Sequence, residues 1–269
     1  MILFPPCKIN LGLHILNKRA DGFHNLDTLM YQLPFTDVLE IIPSDNFVFQ
    51  SSGLEIPGDK NNNLCIKAFE LIRSQYEIPN VTIHLHKIIP MGGGLGGGSS
   101  NASAVLKGLN ALFSLNLSTE TLQNFAAQLG SDCPLFIKEN PQIAQGRGEI
   151  LSDFELDLSA YYLKLVNVGI HVSTKEAFSK VQFYDHFQSI VDIVSHPVER
   201  WINLLKNDFE NSVFEYHPSL LEVKQKLYDE GAIYASMSGS GSTMYAIYEI
   251  EPSLTFHEEL GVFEKIVKL

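Results

Sequence analysis

Six of the seven residues from 92 to 98 are glycine, in the string Pro90-Met91-Gly92-Gly93-Gly94-Leu95-Gly96-Gly97-Gly98-Ser99-Ser100-Asn101. A backbone without Cβ atoms reaches positive φ without strain and lets amide N–H groups come close to a ligand. In front of the loop, Val81 to Ile89 alternates like a strand; behind it, Ala102 to Leu115 carries apolar residues at helical spacing. Ser99, Ser100 and Asn101 are natural helix N-caps between the two. Strand, glycine loop and helix N-terminus together make a phosphate cradle, from bare N–H groups and the positive end of the helix dipole. A mobile linker would not sit between a buried strand and a capped apolar helix.

Three familiar cradles are excluded. Gly92-x-Gly94-x-x-Gly97 satisfies the dinucleotide-binding spacing, but that fold needs a second strand ending in an acidic residue about 20 residues on. Here Leu117-Ser118-Thr119-Glu120 caps a second helix running to about Gln128. A Walker loop fails because Gly97 is followed by Gly98-Ser99 rather than Lys-Ser/Thr. The His-Arg-Asp and Asp-Phe-Gly signatures of protein kinases are absent.

Composition narrows the class. At 269 residues with 45% apolar content, the chain suits one large or two ordinary domains with a sizeable core. No apolar run nears 18 residues, and the opening Met1-Ile2-Leu3-Phe4 meets Pro5-Pro6, too short for a signal peptide. The expectation is a soluble, cytoplasmic protein. Cys7, Cys65 and Cys133 form no even framework and no Cys-x-x-Cys knuckle, which fits a reducing compartment. A net charge of −12 argues against nucleic-acid or anionic-membrane partners. It also means that an anionic nucleotide must be met by local backbone N–H groups and a few placed cations.

Strands are expected over about Ile9–Ile15, Leu26–Gln32, Val38–Pro43 and Val81–Ile89, with helices over Asn63–Ser74, Ser100–Leu115 and Thr119–Gln128. A second portion begins near Ser152, with a strand over Tyr161–Val168 and a helix over Pro218–Asp229. That helix has Pro at its start and Gly231 just past its end. Strands Ile233–Met237 and Thr243–Glu249, a short helix near Ser253 and a closing strand from Val262 follow. Strands and helices mix without strict βαβ alternation, an α+β pattern in two layers.

The Pro-x-x-x-Gly-Leu-Gly-x-x-Ser-Ser pattern resembles the nucleotide loop of the GHMP kinases, the galactokinase, homoserine, mevalonate and phosphomevalonate kinase family. Cys7-Lys8-Ile9-Asn10-Leu11-Gly12-Leu13, Asp21-Gly22-Phe23-His24, Gly130-Ser131-Asp132-Cys133-Pro134 and Ser238-Gly239-Ser240-Gly241-Ser242-Thr243 are similar to further segments of that family, in the family's order. The resemblance implies a ribosomal-S5-domain-2-like N-terminal nucleotide-binding domain over 1–151 and a ferredoxin-like C-terminal domain over 152–269. It implies ATP-dependent phosphorylation of the 2-hydroxyl of CDP-methylerythritol, in the non-mevalonate isoprenoid route. ATP and Mg²⁺ are the expected cofactors. The only expected partners are the two small substrates, for a monomer or weak homodimer.

Lys8, Asn10, Gly12 and His14 share one face of a period-two segment, while Ile9, Leu11, Leu13 and Ile15 share the other. On spacing alone, that polar face could simply meet solvent, and Asp132, just past a helix end, could be a turn residue. The resemblance instead makes Asp132 the carboxylate that takes the proton of the substrate hydroxyl, with Lys8 beside it and Asn10 anchoring the substrate. Pro90 to Ser100 would hold ATP. Phe23 would stack on cytosine, His24 would bond its polar edge, and Thr174 and Phe178 match the second base-contacting segment, completing an aromatic sandwich. The family often has Tyr at position 23. His84 and His86 share a strand face without a nearby third ligand, so a metal there is not expected. Cys7 and Cys133 are expected to pack as small apolar groups.

Overall fold

The computed structural model describes residues 1–269 except 60–61, 182, 184–185, 187 and 257–260. In chain order the elements are β1 (Ile2–Leu3), β2 (Pro6–Lys18), β3 (His24–Thr36), β4 (Val38–Pro43), β5 (Val48–Gly53), α1 (Leu64–Gln75), β6 (Val81–Lys87), α2 (Gly97–Leu112) and α3 (Thr119–Leu129). A 3-10 turn over Cys133–Ile137 leads to β7 (Gln142–Gly146), β8 (Ile150–Asp153) and β9 (Tyr162–Asn167). Then come α4 (Thr174–Phe178), α5 (Ile190–Val194), α6 (Trp201–Leu204), α7 (Phe209–Tyr216), α8 (Pro218–Asp229), β10 (Tyr234–Met237), β11 (Met244–Tyr248) and β12 (Phe263–Lys268). The architecture is α+β, as the sequence implies. The chain divides into two compact units, one of residues 1–7, 35–91 and 96–139, the other of 8–34, 92–95 and 140–269.

In the first unit the sheet order is β1-β4-β6-β5, with β4 antiparallel and β5 parallel to β6. Alternation does the sorting: Leu39 and Ile41 of β4 and Val81, Ile83 and Leu85 of β6 are buried together. Onto them pack Ala68, Phe69 and Ile72 of α1, Ala102, Val105, Leu106 and Leu109 of α2, and Leu122 and Ala126 of α3. Burying each of the larger of these side chains stabilises the unit by about 1.5–3 kcal/mol. The helix starts are chemically marked. Asn63 accepts the Cys65 N–H at the head of α1, and Ser118 accepts the Thr121 N–H at the head of α3.

The second unit holds two antiparallel sheets, β10-β11-β9-β12 and β2-β3-β7-β8. Val166, Met237, Met244 and Ala246 of the first sheet share a core with Val213 of α7 and Leu220, Val223 and Leu227 of α8. Lys164, at the centre of β9, is fully buried and reaches Glu230 at 2.8 Å and Glu264 at 2.7 Å. Two further oxygens, the Ser253 carbonyl and the Thr255 hydroxyl, complete its shell. A buried ammonium is tolerated only with such compensation.

β4 and α8 occupy the expected spans, whereas β5 escapes a pattern reading because Val48-Phe49-Gln50-Ser51-Ser52-Gly53 is a largely exposed edge. The short helix expected near Ser253 is not there. Residues 251–255 are irregular, and the rest of that expectation lies outside the described residues. The Ser253 carbonyl and the Thr255 hydroxyl instead accept from Lys164, and the Thr255 N–H donates to Glu264.

Candidate active site

The glycine string does not end where a propensity reading stops it. Gly96, at φ 68°, is the N-cap of α2, and Gly97 and Gly98 already belong to the helix. Ser99, Ser100 and Asn101 are therefore first-turn residues and not caps, a correction with a simple cause. Only a residue at ease in the left-handed region can turn the chain into the helix at that angle. Gly96 offers no side-chain cap bond, so the N–H groups of Gly97, Gly98 and Ser99 have no acceptor from within the helix, and the first intrahelical bond runs from the Ser100 N–H to the Gly96 carbonyl.

Beneath this turn lies a buried polar hub that sequence reasoning missed. Asp37, fully buried, accepts the N–H groups of Ile88 (2.6 Å) and Ile89 (2.8 Å), the Asn101 Nδ2 (2.9 Å) and the Lys87 ammonium. Burial pushes the Lys87 ammonium below its ordinary value, and Asp37 opposes that shift. Lys87 Nζ would stand 2.9 Å from a Cβ on Gly97, so the cation is held at the entry of α2. An Asp–Lys pair 50 residues apart has no local sequence signature; the one available signal is a lysine that follows Val81, Ile83 and Leu85 on the same face of an alternating strand. Beside the hub is a cavity of about 640 Å³, walled by Phe49, Ile56 and Leu64 and reaching Asn62, Lys87, Met91, Gly98 and Asn101.

Asp132 is half-buried and precedes the 3-10 turn over Cys133–Ile137, giving it no side-chain capping bond there. The Cys133 N–H donates to the Gly130 carbonyl and the Ser103 hydroxyl to the Cys133 carbonyl, which sets the direction of this corner. Burial raises the Cys133 thiol to about 11, the behaviour of a packing group rather than a nucleophile. Cys7 is likewise fully buried.

In the second unit, Gly92–Leu95 is gripped from its carbonyl side. The Ser238 hydroxyl donates to the Gly94 carbonyl (2.9 Å), the Thr243 N–H to the Gly93 carbonyl (3.2 Å) and the Lys8 N–H to the Leu95 carbonyl (2.9 Å). Gly94 has φ +78°, and a Cβ there would sit 2.0 Å from the Ser238 carbonyl oxygen. The late Ser238–Thr243 motif is thus the bed of the early one. Lys8 and Asn10 are both buried, so the polar face of β2 does not meet bulk water. Lys8 Nζ donates to Asn10 Oδ1 at 2.6 Å, Asn10 Nδ2 to Thr28 Oγ1 at 3.1 Å, and the Tyr245 hydroxyl to the Asn10 carbonyl at 2.8 Å.

The residues expected to bind the base are arranged differently from a simple sandwich. Phe23 is half exposed at a turn, with the Arg147 guanidinium 4.9 Å from its ring centre. His24 stacks on Phe178 at 4.6 Å and 18°, while Phe178 meets Phe209 edge-on at 4.7 Å. Partial burial first, and Lys18 second, hold the His24 ring below its ordinary pKa. Thr174 opens α4 behind the cap Ser173, four residues before Phe178. The structure therefore brings His24 and Phe178 together and pairs Phe23 with Arg147, a residue the sequence reading did not single out. His84 and His86 share the Ser52 hydroxyl at 3.0 and 2.9 Å, and no group of three metal-ligating side chains occurs among the described residues.

Two family models match the chain: the GHMP kinases N terminal domain over residues 63–139 and the GHMP kinases C terminal domain over 189–254. The 4-diphosphocytidyl-2-C-methyl-D-erythritol kinase of Azobacteroides pseudotrichonymphae genomovar. CFP2 is 47% identical, over 93% of this chain and 94% of that protein. The chain belongs to the GHMP kinase family, in its 4-diphosphocytidyl-2-C-methyl-D-erythritol kinase branch. The protein of the same name from Bacteroides fragilis (strain YCH46) is 48% identical over 95% of this chain and 94% of its own length. A crystal structure of 4-(cytidine 5'-diphospho)-2C-methyl-D-erythritol kinase superposes with a TM-score of 0.80 at 30% identity, covering 93% of this chain and 90% of that one. No helix among the described residues is long and apolar enough to cross a membrane.

Proposed function

We propose that this chain is an ATP-dependent kinase that phosphorylates the 2-hydroxyl of 4-diphosphocytidyl-2-C-methyl-D-erythritol, in the cytoplasm, on the non-mevalonate route to isoprenoid precursors. The observation that carries this reading is identity of 47–48% over 93–95% of the chain with proteins named for that kinase. The two family matches fall on either side of the 151/152 boundary, which we take as the division between the N- and C-terminal domains.

Pro90 to Ser100 carry the triphosphate. Their glycine amides and the α2 N-terminus supply positive potential that a chain of charge −12 cannot supply broadly. The cavity bordered by Phe49, Ile56 and Leu64, with Asn62 at its edge, offers an apolar slot and polar groups for the nucleoside. Mg²⁺ fits here as an ion that would be held chiefly by phosphate oxygens and water. Ser100 Oγ is buried without a hydrogen-bond partner and has lone pairs to give it, with Ser99 as the neighbouring hydroxyl. When bound, the ion neutralises charge on the β- and γ-oxygens.

Phosphoryl transfer is mostly positioning and electrostatics. Asp132 accepts the proton of the attacking hydroxyl. Lys8, dry and oriented by Asn10, stabilises negative charge on the transferring group, and Asn10 anchors the acceptor. Phe23 and Phe178 stack on the cytosine, with Thr174 beside them, and His24 bonds its edge. A coupled ATP-consumption assay against CDP-methylerythritol, homoserine and mevalonate tests the reading. Turnover confined to the first acceptor is expected, and turnover with either of the others instead overturns it.

A further inference from the structure

Between α6 and α7 the chain runs alongside β2. Leu13 N–H donates to the Lys206 carbonyl and Asp208 N–H to the Leu13 carbonyl, a short parallel bridge centred on Asn207. The Asn207 amide is 3% exposed and fully engaged: Nδ2 donates to the carbonyls of Met237 (2.7 Å) and Gly239 (2.8 Å), and Oδ1 accepts the Phe209 N–H (3.0 Å). Those two carbonyls frame Ser238, whose hydroxyl holds Gly94, and the Gly239 backbone lies against Gly94 as well as Asn10.

A trans peptide points its N–H opposite to its C=O. The Gly93 and Gly94 carbonyls are drawn toward Thr243 and Ser238, so the N–H groups of Gly94 and Leu95 point the other way. Neither amide donates to the protein among the described residues. We propose that Asn207 is a positioning residue for the nucleotide: it pins the Ser238–Thr243 loop, and through that loop aims the Gly94 and Leu95 amides at phosphate. This rests on reading Gly92–Leu95 as part of the phosphate loop. The backbone on either side of Asn207 is fixed to β2 at Leu13, so its side chain reaches the loop from a held position.

The test is Asn207→Asp, which keeps the shape and the Oδ1 acceptor but sets a carboxylate oxygen against two carbonyls. KM for ATP should rise about tenfold or more, the size of a misplaced pair of buried hydrogen bonds, while KM for CDP-methylerythritol stays within about threefold. Hydrogen exchange at 92–95 and 238–243 should accelerate, with β6 unchanged. A parallel rise in both KM values, or unchanged exchange in the two loops, overturns the proposal. Gly96→Val separates the two levels. If it retains ATP affinity by calorimetry, the phosphate-loop reading falls; if it loses ATP while Asn207→Asp binds normally, only the role of Asn207 falls. Should Asn207→Asp fail to fold, Ser238→Ala removes one bond of the same linkage. KM for ATP must then rise about threefold with the other KM unchanged, and no change overturns the proposal.

Discussion

Replacing Gly94 by alanine puts the mutual support of the two glycine loops under direct load. A Cβ on Gly94 stands 2.0 Å from the Ser238 carbonyl oxygen and 2.9 Å from its carbon. A carbon needs about 3.3 Å from a carbonyl oxygen, so the Ser238–Thr243 loop must recede by more than about 1 Å. Alanine at φ +78° adds about 1–2 kcal/mol of left-handed strain. The displacement also breaks the Ser238–Gly94 and Thr243–Gly93 hydrogen bonds, at about 1 kcal/mol each. Together these destabilise the fold by about 3–4 kcal/mol, a fall in Tm of about 10 °C for a chain of this size. Catalysis should suffer beyond stability, because misplacing a binding group by about 1 Å costs on the order of 10²-fold in rate.

Gly98→Ala is the matched comparison. Nothing lies within 4 Å of its Cβ and its φ is not left-handed, so alanine in the first turn of α2 should add about 0.5–1 kcal/mol and raise Tm by about 2 °C. Thermal melts of the two variants, with steady-state kinetics in ATP for Gly94→Ala, give opposite signs in Tm if the argument is right. A Gly94→Ala protein that melts within about 2 °C of wild type and keeps its KM for ATP would show that the loops do not depend on contact with each other.

Asp132→Asn should lower kcat by about 10²–10⁴-fold and leave ATP affinity intact by calorimetry; near wild-type turnover would remove Asp132 as the base. Phe23→Ala should raise KM for the cytidine substrate about ten- to a hundredfold with little change in kcat, since one stacked base is worth about 1–3 kcal/mol. His24→Ala should narrow the preference for CDP- over UDP-methylerythritol, and undiminished discrimination would remove its edge contact. His14 is buried, stacked on His186 at 3.6 Å and 6°, and burial first, then His186, lower its pKa to about 4. The unfolded chain therefore binds a proton near pH 6.5 that the folded one refuses, so stability present above 6.5 is lost as pH falls toward 4. Between pH 7 and 5 this amounts to about 2 kcal/mol, and His14→Phe should flatten that limb of the Tm–pH curve.

What could be read from the residues depended on how far apart the cooperating groups lie. The strand–glycine–helix arrangement was legible because its parts are contiguous, and α8 because Pro218 and Gly231 bracket one amphipathic face. Lys8 and Asn10 declared a shared face through period two, but their burial came from Thr28 and Tyr245, which no spacing announces. Asp37 bonds partners 50 to 64 residues away, and Asn207 partners 30 to 32 away, so both read locally as turn residues. The residues proposed to hold the base show the same limit: no spacing announces that Phe23 meets Arg147, set between Gly146 and Gly148, or that His24 stacks on Phe178.

Glycine runs invite a reading in terms of mobility, and here that reading inverts the physics. Gly94 and Gly239 lie backbone to backbone, and the missing Cβ of Gly94 is the space that the Ser238 carbonyl occupies. Gly93 leaves its space to the Asn167 amide and the Thr243 hydroxyl, which bond each other at 2.8 Å. Each motif supplies the steric reason for the other's composition. A phosphate cradle works by presenting amides that need no reorganisation when charge arrives, and two glycine segments locked together by carbonyl-side bonds are a way to hold such amides still. The conformational entropy that glycine gives up on folding is largest of all residues. It is offset here by contacts that no residue with a side chain could make, and so the loop that looks most flexible in the sequence has its Gly93, Gly94 and Leu95 carbonyls each held by a hydrogen bond.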